Sequence, residues 1–335
     1  MLPLMHPDRV CAPVSTSSID IPIDVSVIIV NFNTSHLLST CLHALRVACQ
    51  GMRTEVVIVD NASLDDSLQR IKRDWPEVRV IENPCNVGFG RGNNQALPFC
   101  HGRFVLLLNT DAFVECDAVK AAVQCLEESP DIGIVGARLA GRDGALQPSW
   151  RFSPTAVGIF ATKTGLTAWL PDVSLVDPPR WQPDESADCD WVPGCFLMTR
   201  RSVVEEVGLF DPRFFLYYEE VDLCRRVKRA GWRVRYLADA RVVHVGGESA
   251  KSVGQISAAG RQLPALQIES QLLFFRKHNG LVGLALLVAL ESLAALIAAA
   301  KLAFRLRPGA GYPLQEFRLL LRLLVQTSAG ARPTR

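Results

Sequence analysis

The chain has 335 residues, with 36 Lys plus Arg against 34 Asp plus Glu and a formal net charge of +2. That length suits one large domain or two ordinary ones with a real core, and the balanced charge excludes both a nucleic-acid footprint and an acidic solubilising tail. The ten cysteines are scattered without a Cys-x-x-Cys pair, which excludes a zinc site and a disulfide framework and points to small buried hydrophobes in a reducing, cytosolic setting.

Residues 1–23 hold prolines, Asp8 and a Ser/Thr cluster without an uninterrupted apolar core, and read as a loose extension. Between 24 and 140, apolar runs at 25–30, 55–60, 78–83 and 103–109 read as buried strands. Helical spacing fills 35–49, 63–75 and 93–100, with Ser63 and Asp66 as a helix-start signal. This alternation predicts an α/β fold with a mainly parallel sheet covered on both faces. The strands end in Asn31 and Asn33, Asp60 and Asn61, Asn83 and Asn86, and Asn109 and Asp111. Singly these are turn residues, but four successive strand ends of this kind predict a polar-rimmed ligand crevice.

Residues 141–190 are rich in Pro, Ser and Trp and read as loops. A strand is expected over 191–200, then a helix from Ser202 to near Gly208. Another helix follows in FFLYYEEVDLCRRVKRAGW, where Leu223, Val227 and Ala230 share a face and Gly231 is the cap. The strand RVVHV (241–245) runs into Gly246, Gly247, Glu248 and Ser249. Residues 251–335 form a tail of different composition. Its segment 281–300 is apolar apart from Glu291 and Ser292, and about 20 helical residues reach across a hydrocarbon core. Arg276 and Lys277 before it, and Lys301, Arg305 and Arg307 after it, give no orientation. Over 314–325, Leu314, Phe317, Leu321 and Leu324 oppose Gln315, Arg318 and Arg322, the pattern of a basic helix on an anionic bilayer. The competing expectation is a helix pair packed on the catalytic domain or on a second subunit.

Four groups of residues carry candidate chemistry. In VLLLNTDAFV (105–114), Asp111 follows a buried strand and can hold a divalent cation whose other positions are filled by phosphates. In NPCNVGFGRGNN (83–94), glycines near a helix start suit phosphate, but the Gly-x-Gly-x-Gly spacing after the third strand is not a dinucleotide fingerprint. Glu219, Glu220 and Asp222 suit a helix start and can pair with Arg225 and Arg226. The aromatic approach Phe214-Phe215-Leu216-Tyr217-Tyr218 would instead raise a carboxyl pKa toward general-base use. His244 ends a strand before two glycines.

In this order, VSVIIVNFN, VVIVDNAS, ENPCNVGFGRGNNQA, FVLLLNTDA, WVPGCFLMTRR, GLFDPRFFLYYEEVDLCRRVKRAGWRV and HVGGES resemble the family 2 glycosyltransferases, most of all bacterial rhamnosyltransferase-type members. The resemblance implies a GT-A fold, with a nucleotide-sugar-binding half (24–140), an acceptor-binding and catalytic half (141–250) and a membrane-associated tail at the cytoplasmic face of the inner membrane. It implies nucleotide-sugar contacts from Asn31, Asn33, Asp60, Asn86, Gly88, Asn93, Asn109 and Asp111. Mg²⁺ or Mn²⁺ would sit on Asp111, with His244 completing metal or diphosphate contacts, and Trp191 and Gly194 would face the acceptor; Trp150, Trp181 and Trp191 suit acceptor or core equally. Glu220 stands where the family has the Asp of Glu-Asp, a methylene longer, which leaves the base open among Glu220, Glu219 and Asp222. The implied activity is inverting transfer of a sugar, rhamnose from a dTDP donor first among candidates, to a glycan or lipid-linked acceptor of cell-surface polysaccharide. The alternative is a non-catalytic nucleotide-sugar- or carbohydrate-binding scaffold at the membrane.

Overall fold

The computed structural model describes residues 22–169, 175, 183–246, 264–304 and 311–335. The extension through residue 21, Trp181, residues 247–249, Arg305 and Arg307 lie outside the described residues.

Strands β1 (Val25–Asn31), β2 (Thr54–Asp60), β3 (Arg79–Glu82) and β4 (Phe104–Leu108) form where the apolar runs predict them and pair in parallel in the order β3-β2-β1-β4. Alternate residues of β1 enter opposite layers. Val25, Val27 and Ile29 pack with Leu38, Cys41 and Leu42 of helix α1 (Ser35–Ala48), whereas Ile28 packs with Val105 and Leu107 on the other face.

Helix α2 (Ser67–Asp74) begins after Asp66, not at Ser63, because Ser63 is held by Asn31 and Asp60 at the strand ends. Helix α3 (Phe89–Ala96) starts four residues earlier than its spacing suggests, directly after Gly88 with its φ of 90°, and Pro98 tightens Leu97–Phe99 into a short 3₁₀ turn.

The second half is built from β5 (Ala112–Val114), α4 (Ala118–Glu128), β6 (Ile132–Ala140), β7 (Leu146–Gln147), α5 (Ala156–Thr164), β8 (Ala187–Asp188), β9 (Phe196–Arg200), α6 (Arg201–Val207), α7 (Glu219–Arg229) and β10 (Arg233–His244). β9 inserts antiparallel between β4 and β6, β10 runs parallel to β6, and β5 turns back antiparallel on β10. Of the expected 191–200 strand, the second half pairs as β9, and Trp191 makes only an isolated antiparallel bridge with Arg151. A Cβ at Gly136 would lie 2.3 Å from the Val192 Cβ, so residues before Phe196 cross over the face of β6. Residues 141–190 are not wholly loop: α5 is capped by Thr155, whose Oγ1 accepts from Gly158 N at 3.0 Å, and Gly165 ends it in the left-handed region.

The tail packs on this body. Helix α8 (Pro264–Ala303) is broken at Gly280 (φ 68°, ψ −165°) and is followed by α9 (Gly311–Gln326). Its first half buries Ile268, Leu272, Phe274 and Phe275 in one cluster with Phe214, Val221 of α7 and Ile159 of α5. Glu291, the carboxylate in the apolar run, lies 2.7 Å from Lys163 of α5, which also reaches Glu316 of α9 at 3.2 Å. On α9 the buried face is centred on Leu320 and Leu323, and Leu321 is 42% exposed, so the expected face is rotated: contact with α8 selects it.

Candidate active site

The carboxyl ends of the first strands form a linked polar rim. Register places Asn31 beside Asp60. Asn31 Nδ2 donates to Asp60 Oδ1 at 2.7 Å and to Ser63 Oγ at 3.0 Å, and Ser63 N donates to Asp60 Oδ2 at 3.0 Å. Thr34 Oγ1 donates to Asn31 Oδ1 at 2.7 Å and shares a hydrogen bond with Thr110 Oγ1 at 2.9 Å, next to Asp111. Asn31 is fully buried and orients Asp60, itself 3% exposed. Asn33, at φ 53°, accepts from Leu64 N at 2.7 Å and shapes the adjoining turn.

The glycine loop differs in role from its expectation. Asn86 Oδ1 accepts from Gly88 N at 2.9 Å, a local turn bond, and Asn93 is buried with its Nδ2 donating to Phe89 O at 2.9 Å. Gly88 is required by packing: its φ is positive, and a Cβ there would lie 2.4 Å from Phe215 O, where Phe89 N also donates at 2.8 Å. The loop is thereby fastened to the segment that precedes α7.

Past β4, residues 109–111 bend into β5. Asn109 N donates to Cys195 O at 3.0 Å, and Val245 N donates to Asp111 O at 2.9 Å. The β5–β10 register sets His244 opposite Ala112, and His244 Nε2 comes within 3.6 Å of Asp111 Oδ1. Among the described residues no group of three His, Cys, Asp or Glu side chains converges on a metal position. One carboxylate and one imidazole nitrogen nevertheless fit a Mg²⁺ or Mn²⁺ ion that takes its other ligands from phosphate oxygens and water.

The third group is held by an unusual backbone. Tyr217 and Tyr218 both have positive φ, 70° and 68°, a strained pair immediately before α7. Ser270 Oγ donates to Leu216 O at 2.9 Å and the Phe274 ring lies 5.3 Å from Tyr218, so the first half of α8 braces this turn. Glu219 is 3% exposed and Glu220 half-buried, and each has an Oε2 that is buried without a hydrogen-bond partner. Burial, then the Glu220 charge, pushes Glu219 well above the ordinary glutamate range. Burial also raises Glu220, opposed by its own and the Val221 backbone N–H groups and by the charge of Arg151.

Asp222 is a correction. It is fully buried on the α8 side, with Arg226 Nε at 2.8 Å, Lys277 Nζ at 2.5 Å and His278 Nε2 at 2.7 Å. Burial opposes its ionisation, but the hydrogen bonds from His278 and Lys277 and the charge of Arg226 outweigh it and hold the carboxyl below the usual range. A carboxylate neutralised in this way is a poor proton acceptor.

The two halves of the candidate site meet at Cys195. Burial raises its thiol, the charges of Asp111 and Glu220 raise it further, and its backbone carbonyl accepts from Asn109 N at 3.0 Å. A Cβ on Gly194 would lie 3.7 Å from the Glu220 Cβ, and one on Gly90 would lie 3.7 Å from the Glu219 Cβ. Trp191 Nε1 donates to Phe152 O at 2.8 Å, with the Arg151 guanidinium 5.3 Å over its ring. Trp150 packs against the core beside Phe152. Sequence reasoning missed Thr34, Ser63, Gln147, Arg151 and the bracing residues of α8. Gln147 and Arg151 lie in the aperiodic middle stretch, where only the run Gln-Pro-Ser-Trp-Arg offered a signal.

Residues 26–208, more than half of the chain, match the family model for Glycosyl transferase family 2. The chain is a family 2 glycosyl transferase. This transferase is 27% identical over 268 residues, 76% of its own length and 85% of the relative's, to the N-acetylglucosaminyl-diphospho-decaprenol L-rhamnosyltransferase of Mycobacterium tuberculosis. It is 26% identical over 210 residues, 62% of each chain, to the low-salt glycan biosynthesis hexosyltransferase Agl10 of Haloferax volcanii. The mannosyltransferase PcManGT of Pyrobaculum calidifontis, solved with GDP-Man and Mn²⁺, superposes with a TM-score of 0.55 over 92% of this transferase and 89% of that chain, at 16% identity. That likeness fixes the GT-A-type α/β fold of the transferase.

Proposed function

We propose that this transferase is an inverting, metal-dependent enzyme that moves a sugar from a nucleoside diphosphate to a glycan or lipid-linked acceptor, with Glu220 as the base. The observation that carries the reading is that Gly194 and Cys195 join the surroundings of the two acids: Cys195 O accepts from Asn109 N at 3.0 Å, two residues before Asp111 with its imidazole neighbour, and a Cβ on Gly194 would lie 3.7 Å from the Cβ of Glu220, which has an unpartnered oxygen.

The nucleotide would lie over the carboxyl ends of β1 and β2, where Asn31 and Ser63 hold Asp60 rigid and Asn33 shapes the edge. Asn109 and Asp111 would border the diphosphate, and Asp111 with His244 would hold the cation. When bound there, Mg²⁺ or Mn²⁺ neutralises charge developing on the diphosphate leaving group. Glu220 takes the proton of the acceptor hydroxyl as that oxygen attacks from the face opposite the leaving group, and one displacement inverts the anomeric carbon. Gly194 borders Glu220, and Gly194 and Trp191 would receive the acceptor.

Rhamnose from a dTDP donor is the leading substrate, supported by the likeness to an L-rhamnosyltransferase most of whose length is covered. A panel of UDP- and dTDP-sugars with Mg²⁺ or Mn²⁺, read by nucleoside diphosphate release with acceptor, tests this. Binding of the nucleotide sugar without turnover of any donor would favour the scaffold reading. Asp111→Asn is expected to weaken metal-dependent donor binding, and unchanged metal dependence in a calorimetric titration would remove Asp111 from the cation site.

The distal half of α8 supports attachment at a membrane surface rather than a span. Among the described residues α8 is the one helix long and apolar enough to cross a membrane, with a mean hydropathy of 2.4 over 18 residues, 33% of them buried. Its outward stripe of Val282, Ala285, Leu286, Ala289, Leu293 and Leu296 is exposed and wholly apolar, and Trp169, 84% exposed, lies beyond the end of α5 that Lys301 fastens through Thr164 O at 3.1 Å. Glu291 and Lys163 neutralise each other inside the helix cluster, a contact that a lone spanning helix would lose. Arg318 and Arg322 on α9 are exposed and suit an anionic leaflet, here the cytoplasmic face of the inner membrane. Leu293→Glu with Leu296→Lys is expected to abolish co-sedimentation with anionic vesicles while leaving the folded body intact. Vesicle binding equal to that of the parent chain would refute this surface.

A further inference from the structure

We propose that Gln147 is a positioning residue for the cation site, holding His244 in the tautomer that turns a nitrogen lone pair toward Asp111. The inference rests on the reading of Asp111 and His244 as cation ligands.

Gln147 stands on β7, opposite Leu139 of β6. Its backbone is fastened by Ser149, whose Oγ donates to Gln147 O at 2.8 Å and accepts from Leu139 N at 3.0 Å. The side chain then makes two bonds to one residue. Gln147 Nε2 donates to the His244 backbone carbonyl at 2.7 Å, and Gln147 Oε1 faces His244 Nδ1 at 2.9 Å. A backbone carbonyl can only accept, so the amide nitrogen must point to it and the amide orientation is determined. The amide oxygen can only accept, so the hydrogen of the neutral ring must sit on Nδ1. Nε2 is left with its lone pair, 3.6 Å from Asp111 Oδ1. That separation is too long for a hydrogen bond. A cation held by the Asp111 carboxylate would find this ring lone pair within reach. A hydrogen bond from the far ring nitrogen to a neighbouring acceptor is also how proteins fix and strengthen a metal-ligating imidazole.

Manganese binding in the presence of UDP or dTDP, followed by electron paramagnetic resonance, tests the inference, with the His244 tautomer read by ¹⁵N NMR. Gln147→Leu removes the acceptor and is expected to weaken Mn²⁺ binding by roughly 10–100-fold and to let hydrogen appear on Nε2. Gln147→Glu keeps an acceptor for Nδ1–H and is expected to retain both the tautomer and Mn²⁺ binding. If Asp111→Asn and His244→Ala lower Mn²⁺ affinity but Gln147→Leu does not, the positioning role is overturned and the cation site stands. If Asp111→Asn leaves Mn²⁺ affinity unchanged, the cation site itself fails. Should Gln147→Leu not fold, the parent protein decides the matter, because a neutral His244 with its hydrogen on Nε2 overturns the inference.

Discussion

Glu220→Gln is expected to lower turnover by roughly two to four orders of magnitude, the range for loss of a general base, while nucleoside diphosphate binding is retained. The substitution keeps the shape of the side chain and removes only its capacity to take a proton. Glu220 is the more accessible of the paired glutamates, and Glu219 sits deeper in the protein. Burial raises the Glu220 carboxyl above its ordinary range, so the ionised, active form dominates only at higher pH than for an exposed glutamate. Activity of the parent enzyme should therefore rise with pH through an acid limb displaced upward. Single-turnover rates across pH check both points. Near-normal turnover in Glu220→Gln would transfer the role to Glu219.

Asp222→Asn is expected to cost about 3–5 kcal/mol of folding stability, the range for breaking a buried ion pair by removing one partner. The loss falls on a cluster that joins α7 to α8: Arg226, Lys277 and His278 all converge on Asp222, and Lys277 also lies 2.7 Å from Asp211. The folded pKa of Asp222 is depressed, so its contribution is present above the ordinary aspartate value and is lost as pH falls through the folded value. Denaturant midpoints should accordingly differ most between parent and variant near neutral pH and converge in acid. The acid limb of activity should stay where Glu220 puts it. A variant as stable as the parent at neutral pH would show that α8 is not fastened through this carboxylate.

Both expectations bear on how the tail is understood. By composition, everything after residue 251 resembles a single membrane-directed unit. In three dimensions α8 divides at Gly280: its first half buries Phe274 and Phe275 beside Phe214 and supports the strained Tyr217–Tyr218 turn, and only the second half presents an outward apolar stripe. Apolar periodicity records that a face is covered. It does not record whether protein or lipid covers it.

The sequence by itself determined the first four strands, the helices α1, α6 and α7, and the polar character of the strand ends, because each depends on local periodicity and on turn residues beside it. Family membership was equally legible, since ordered motifs survive without knowledge of their contacts. Only the tertiary structure decided which polar residues are available. Asn31 and Asp60 share a strand-end position type, and register joins them in one buried hydrogen-bonded unit. Glu220 and Asp222 stand two residues apart, yet the helix turns one toward Gly194 and the other toward Arg226 of α7 and Lys277 and His278 of α8. Asp111, Gln147 and His244 are brought together by strand pairing across nearly a hundred residues. Hydrogen-bond partners and burial are properties of such long-range pairings, and spacing along one chain does not encode them.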